Sequence, residues 1–311
     1  MTGNYDVAVI GGGAAGLNGA LMLARSRRSV VVIDAGTPRN APAVGVHGFL
    51  SRDGIPPSEL LERGRAEVRG YGGQVCPAKV RSVARENGWF GVMLADGRSL
   101  HARRLLVATG LADELPDIAG LRERWGRDVI HCPYCHGWEV RDKAIAVLAT
   151  GVMSVHQALL FRQLSDDVTF FSHNMPPDQP EQLTARGIRI VDGAVASLEV
   201  LDDRIVGVRL QDGSLISREV VVVAPRMTAH AEVLAPLGLR PAEHPAGTYI
   251  PADPTGRTEV PGVWVAGNVT DLAAHVGAAA AAGAVAGAHI NADLVAEETR
   301  EAVALSATSG A

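Results

Sequence analysis

Residues 5–16 read YDVAVIGGGAAG. The first six form a short, almost continuous apolar run, the pattern of a strand buried on both faces. Gly11, Gly13 and Gly16 then fall at Gly-x-Gly-x-x-Gly spacing, an apolar, Ala-rich helix is expected over 17–25, and a second apolar strand over 30–34 ends in Asp34. The glycine spacing alone is a weak signal. A strand before it, a helix after it and an acidic residue about 20 positions on make it a dinucleotide-binding βαβ unit. Gly11 permits the tight turn, Gly13 lets backbone N–H groups approach a pyrophosphate, and Gly16 lets helix and strand pack closely. The helix N-terminus favours the phosphates, and the Asp34 carboxylate can accept from ribose hydroxyls.

Beyond this unit a helix is expected over 57–71, and an antiparallel meander over 74–100 with turns at Asn87-Gly88 and Asp96-Gly97. A buried strand over 105–110 ends in a tight turn at Gly110. After an acidic, Pro-containing connection the plan repeats. A strand over 144–148, a helix over 154–164 and a strand over 168–172 lead to a meander from 195 and a closing strand over 219–224. One more strand, 263–267, and a long Ala/Gly-rich helix have no partner inside the second repeat, so they are expected to return to the first. The fold class is therefore α/β with two Rossmann-like, three-layer domains.

The second βαβ departs from the first. Its turn reads Ala149-Thr150-Gly151-Val152-Met153-Ser154, with Ala at the first glycine position, where a positive φ would strain it. At the end of the following strand, where an acidic residue would select NAD or an arginine NADP, the sequence has Ser172-His173-Asn174. Either a tight nicotinamide site has been lost or the domain never had one, although a weakened site can still bind.

Residues 131–136 read HCPYCH. The two-residue spacer lets Cys132 and Cys135 close a small disulfide, and a helix N-terminus or a protonated histidine nearby would lower a thiol pKa. Zinc fails on ligand count, because the chain has no second Cys pair, and no metal is expected. His136 adjoins the second cysteine and can move a proton during thiol–disulfide exchange. His131 is the weaker catalytic candidate. Cys76 stands alone and reads as a small buried hydrophobe.

Composition bounds the rest. The chain has 311 residues, 47% apolar and 20% charged, enough for two cores. A net charge of −5 and scattered arginines, with Lys79 and Lys143 the only lysines, give no footprint for nucleic acid. The longest apolar run, 278–288, is short of the roughly 20 residues that a membrane crossing needs, so no membrane association is expected. With a strand already starting at position 5 and no leader pattern before it, a cytoplasmic location is expected.

The first Gly-x-Gly-x-x-Gly, the Ala108-Thr109-Gly110 turn, the Cys132/Cys135 pair and the terminal Val265-Ala266-Gly267-Asn268 segment together resemble the low-molecular-weight thioredoxin reductases. The resemblance covers nearly the whole chain; the tail after about 296 lies outside it, and 297–311 is expected to begin as a charged helix and end disordered. It implies an FAD domain over 1–113 and 246–311, interrupted by a pyridine-nucleotide-type domain over 114–245 that carries the cysteines. Gly11, Gly13, Ala15 and Gly16 would cradle the FAD pyrophosphate and Asp34 the adenosine ribose. Arg39, Asn40 and His47 would lie along the cofactor, Val80 would meet adenine through its backbone, and Thr109 and Gly110 would line the flavin. Asn268 stands where the family has a ribityl-binding Asp, with His275 near the start of the helix aimed at the flavin ring.

Three departures bear on activity: Ala149, the missing basic signature at Ser172-His173-Asn174, and His136 where thioredoxin reductases carry an Asp acid. They resemble the branch of the family that installs disulfides in gliotoxin, holomycin and related natural products. That likeness implies a homodimer in which a small-molecule dithiol reduces the Cys pair, Cys132 forming the mixed disulfide and Cys135 facing the flavin. Electrons would then pass through FAD to O2, giving H2O2 without NADPH. The competing reading is a thioredoxin or disulfide reductase fed by NADPH or by another donor such as a ferredoxin. A third is a flavin-loaded redox sensor without turnover.

Overall fold

The structure is a computed structural model and describes residues 3–309. The described chain divides into two compact units, one of residues 3–39, 58–112 and 228–309, the other of residues 40–57 and 113–227. In chain order the elements begin with β1 (Asn4–Ile10), α1 (Ala14–Arg25), β2 (Val30–Asp34), α2 (Pro57–Gly70), β3 (Gln74–Pro77), β4 (Val80–Glu86), β5 (Trp89–Leu94), β6 (Ser99–Val107) and β7 (Leu111–Glu114). The second unit supplies β8 (Val129–Ile130), α3 (Pro133–His136), β9 (Ile145–Leu148), α4 (Ser154–Phe161), β10 (Val168–Phe171), α5 (Pro180–Ala185), β11 (Arg189–Val191), β12 (Val195–Leu201), β13 (Arg204–Leu210), β14 (Leu215–Ile216) and β15 (Val220–Val222). The chain returns through β16 (Arg226–Ala229), β17 (Ala242–His244), β18 (Gly247–Tyr249), β19 (Val263–Val265) and α6 (Val276–Ser309).

The sheet of the first unit runs β3-β2-β1-β6-β5-β4, with β19 also on β6. The long strand β6 divides its free edge: residues 99–102 pair antiparallel with β5, and residues 105–107 pair parallel with β19. The last strand thus returns to the first domain, as the absence of a partner in the second repeat implied. Pairing of β3 with β2 is parallel, so the meander starts at β4 rather than at residue 74.

The Ala/Gly-rich composition of α6 has a packing cause. A Cβ on Gly283 would lie 1.9 Å from the Ala15 carbonyl oxygen, and one on Gly287 would lie 2.7 Å from that of Gly19. Only glycine allows α6 to approach α1 so closely. By length and composition α6 is the one described helix that could cross a membrane, over Val276–Thr308. Its later turns nevertheless carry Asp293, Glu297 and Glu298, which pair with arginines of the same unit: Arg104 with Asp293 at 2.7 Å, Arg103 with Glu297 at 2.8 Å, Arg28 with Glu298 at 2.6 Å. The expected disorder of the tail is corrected here, since α6 continues unbroken to Ser309. Residues 310 and 311 lie outside the described residues.

Hydrogen bonds from Arg28 and then Arg103 hold the Glu298 carboxyl well below its ordinary 4.5, at about 2. A depressed carboxylate contributes stability above its unfolded pKa and loses it as the pH falls through the folded one. Unfolding by urea should therefore become easier as the pH drops from 4.5 toward about 2, and Glu298→Gln should remove part of that dependence while weakening the protein near neutrality.

In the second unit the parallel sheet runs β11-β10-β9-β15-β8, beside a three-stranded antiparallel sheet β12-β13-β14. The units differ from the sequence-based boundaries in two places. Residues 228–245 belong with the first unit because Ala229, Ala231, Leu234 and Leu239 sit in its core. Residues 40–57 belong with the second, where a Cβ on Gly126 would meet Pro42 at 2.7 Å.

Candidate active site

Strand β8 ends at Ile130 and delivers His131 and the cysteine pair. Cys132 caps the four-residue helix α3 with extended backbone, and Pro133 takes its first turn, where a missing N–H costs nothing. Cys132 and Cys135 form a disulfide with a Cα–Cα separation of 5.3 Å, and the Cys135 N–H donates to Cys132 Sγ at 3.2 Å. The same N–H would stabilise a Cys132 thiolate, since hydrogen bonds to a charged acceptor are the strong ones. Gly137 closes the segment: a Cβ there would lie 2.1 Å from the Pro133 carbonyl oxygen.

His136 is half-buried, and its Nε2 is fully buried without a hydrogen-bond partner. Burial pushes its pKa below the ordinary 6.5; the Glu139 carboxylate pulls it back up in part, and His47 pushes it down. An imidazole in that state is neutral at pH 7 and has an unengaged nitrogen, which is what a base needs. His131 is occupied otherwise. Its Nδ1 lies 3.3 Å from the Val223 carbonyl oxygen and 3.2 Å from Gln157 Nε2, and Gln157 also donates to the His131 carbonyl at 2.7 Å. Those contacts fix the start of the cysteine segment to β15 and α4.

In the first unit the glycine motif has the geometry of a phosphate cradle. Gly11 adopts φ +105°, and a Cβ there would meet the Ala108 carbonyl oxygen at 2.3 Å. A Cβ on Gly16 would lie 1.9 Å from the Gly11 carbonyl oxygen, whereas nothing lies within 4 Å of one on Gly13. Gly13 caps α1 without any side-chain hydrogen bond, so the helix N-terminus is open toward a pyrophosphate. Asp34 is held at the end of β2 by Arg65 at 3.1 Å and by the Gly36 N–H at 3.2 Å. These residues fit FAD. Buried Ala15 underlies the cradle, and Val80 is buried at the start of β4. Thr109 Oγ1 donates to the His230 carbonyl at 2.6 Å, and Gly110 accepts from the His230 N–H at 3.0 Å. Asn268 Nδ2 donates to the carbonyls of Asp271 and Ala274 at 3.0 Å each, a bracing role that an aspartate could not fill. His275 is exposed immediately before α6. Arg39 is exposed and Asn40 half-buried where the chain leaves the first unit, and His47 lies in the second, beside Glu139.

The corresponding turn in the second unit is filled from within. Ala149 does not take a positive φ, so the expected strain does not arise and the backbone follows another course from Gly11. Ser154, at the third position of the motif, accepts from the Thr150 N–H at 3.1 Å and the Gly151 N–H at 3.2 Å. After β10, His173 Nδ1 accepts from the Val195 N–H at 3.0 Å, with burial lowering its pKa, and Ser172 Oγ donates to Asp192 at 3.1 Å. The sequence signalled the missing determinants, but Ser154, Gln157, Glu139 and Asp192 came only with the fold.

The pyridine nucleotide-disulphide oxidoreductase family matches residues 5–286. The chain is 31% identical to the thioredoxin reductase sirT of Leptosphaeria maculans, over 92% of this chain and 93% of that one. It is 29% identical to the thioredoxin reductase tcpT of Claviceps purpurea (strain 20.1), over 94% and 95%. Among solved structures it is similar to HlmI, with 48% identity, a TM-score of 0.94 and coverage of 99% and 98%. An oxidoreductase from Agrobacterium tumefaciens shares 36% identity with a TM-score of 0.88 over 95% and 99%. The chain belongs to the pyridine nucleotide-disulphide oxidoreductase family, as a thioredoxin reductase-like, FAD-binding thiol–disulfide oxidoreductase.

Proposed function

We propose that the protein is an FAD-dependent dithiol oxidase that closes a disulfide in a small-molecule dithiol, with O2 as acceptor and H2O2 as product. The observation that carries this reading is Ser154. Its hydroxyl takes the two N–H groups at the turn where a pyridine nucleotide's phosphates would bind, which disfavours a pyridine nucleotide as the electron source. Asp192 beside Ser172 further disfavours a 2′-phosphate.

The His136 imidazole takes the proton from a substrate thiol, and the thiolate attacks Cys132 Sγ. The Cys132–Cys135 bond breaks, and Cys135 leaves as thiolate. The second substrate thiolate attacks the mixed disulfide, the product disulfide departs, and Cys132 is released onto the Cys135 N–H, 3.2 Å away. Gly11, Gly13, Gly16 and Asp34 would hold FAD, which would supply the two-electron oxidation of the reduced pair and the passage of those electrons to O2. Tyr134, 68% exposed next to Cys135, offers an aromatic face to a substrate, whereas the Trp138 ring is stacked against the Arg141 guanidinium.

The test is anaerobic. A small dithiol should bleach the flavin, excess NADPH should leave it yellow, and admitting air to the dithiol-reduced protein should restore the colour with one H2O2 per disulfide. Bleaching by NADPH within seconds would instead establish the NADPH-fed disulfide reductase.

A further inference from the structure

The Asp34 carboxylate is fixed in place from two sides. One is the glycine motif itself: a Cβ on Gly12 would fall 2.7 Å from both Asp34 Cγ and Asp34 Oδ2. Gly12 is buried and takes no positive φ, so its backbone conformation would accept alanine. The atoms nearest to such a Cβ all belong to the Asp34 side chain. The other side is α2. Leu61 and Val68 bury this helix in the core of the first unit, and Gly64 packs it on Leu17 of α1, where a Cβ would come within 3.1 Å. Arg65 is therefore delivered from a fixed backbone. Its Nη2 donates to Asp34 Oδ2 at 3.1 Å and its Nη1 to Glu62 at 3.3 Å, and Glu62 also accepts from Arg69 at 3.5 Å.

Lone pairs decide what this carboxylate can take. An ionised carboxylate offers about four acceptor positions. The Gly36 N–H uses one on Oδ1 and Arg65 uses one on Oδ2, which leaves one open on each oxygen. Two acceptors on one carboxylate match the two hydroxyls of a vicinal diol, as in an unmodified ribose. Charge points the same way. A carboxylate lying against Gly12 would, if unpaired, repel a pyrophosphate bound in the same turn, and the Arg65 guanidinium offsets that repulsion. The pair is largely shielded, with side chains 21% and 17% exposed, so salt screens it less than an open surface pair.

We propose that Arg65 is a positioning residue for the cofactor: it holds Asp34 against Gly12, preset to accept the 2′- and 3′-hydroxyls of the FAD adenosine ribose. Arg65 acts through Asp34, and Gly12 is the wall that leaves room for the carboxylate. The proposal rests on FAD being the cofactor and not on the direction in which the cysteine pair passes electrons.

The experiment dilutes the FAD-loaded protein and reads the equilibrium release of flavin from its fluorescence, which gives Kd without any turnover. Arg65→Leu should raise Kd about tenfold and Asp34→Ala about a hundredfold, the scale of lost hydrogen bonds to a charged group. Arg65→Leu placed on top of Asp34→Ala should raise it no further, because a residue that acts through Asp34 then has nothing to act on. Arg65→Lys keeps the charge but cannot serve Asp34 and Glu62 together, so its Kd should fall between those of wild type and Arg65→Leu. Gly12→Ala displaces the carboxylate while leaving its charge, and it should weaken FAD at least as much as Arg65→Leu. A Kd for Arg65→Leu within about twofold of wild type, or a penalty that adds in full to that of Asp34→Ala, overturns the proposal, since a merely structural loss would add. Should Arg65→Leu fail to fold, Arg65→Lys with and without Asp34→Ala carries the same comparison. If the wild-type protein holds no FAD, the cofactor assignment falls and the proposal with it; if FAD binds and only the coupling is missing, the assignment stands and the proposal alone is lost.

Discussion

Cys135→Ser should retain FAD and the fold yet lose dithiol-driven oxygen consumption, by on the order of 10³-fold or more, the scale of removing the nucleophile from a covalent mechanism. The reasoning is one of bonds. Without the second sulfur there is no disulfide for a substrate thiolate to open, and Cys132 alone can form only a mixed disulfide that no neighbouring thiol resolves. Cys132→Ser should lose turnover as completely but should not trap substrate, so mass spectrometry of the two variants after exposure to an oxidised substrate separates the roles. Stability should fall modestly. The disulfide closes a loop of sequence separation 3, and chain entropy for so short a loop amounts to roughly 2 kcal/mol. Cooperative urea unfolding at a lowered midpoint together with lost oxygen uptake is the expected pattern. Retained uptake in both variants would leave the pair as a sensor or a structural staple.

How far this site was legible in the sequence depends on whether its parts are contiguous. Gly11, Gly13, Gly16 and Asp34 sit within one βαβ unit, and the steric demands at Gly11 and Gly16 are those their spacing implied. The Cys132–Cys135 pair, with Cys132 capping α3 and Pro133 in its first turn, is equally local. The return of β19 to β6 was legible by elimination, because the second repeat was already complete. What was hidden depends either on approach between segments far apart in the chain or on the exact course of a turn. Nothing in residues 44–53 says that His47 will lie 3.5 Å from Glu139. Ser154 reads as an ordinary helix start until its hydroxyl is seen on the Thr150 and Gly151 N–H groups. Asn268 looked like a weakened ribityl ligand, yet its amide braces two carbonyls that a carboxylate would repel. The charged start of the tail read as helix and only its Ser/Thr/Gly end as disordered, but α6, tied by Glu297 and Glu298 to Arg103, Arg104 and Arg28, runs on to Ser309.

Replacement of His136 should separate proton transfer from sulfur chemistry. His136→Asn keeps a polar side chain of similar size but cannot take the thiol proton, so kcat/KM for a dithiol at pH 7 should fall about 10²–10⁴-fold, the usual weight of a general base. The disulfide should still form and the flavin should still bind. The pH profile carries the sign. The wild-type imidazole is active when neutral, and burial places its pKa below 6.5, so the rate should rise with pH through a midpoint below 6.5 and, on this account, level off above it. His136→Asn should lose that limb altogether. His136→Asp, which restores the acid of the thioredoxin reductases, is the more informative change. A carboxylate of ordinary pKa near 4 is a weaker base toward a thiol than the imidazole, so oxidation at pH 7 should remain well below wild type while the acid limb moves to lower pH. Burial raises a carboxyl pKa, which narrows the gap and makes the Asp variant faster than the Asn variant. The order His, then Asp, then Asn follows only if the residue handles the proton. Equal rates in Asp and Asn variants, or an unshifted acid limb in the Asp variant, would place the base elsewhere.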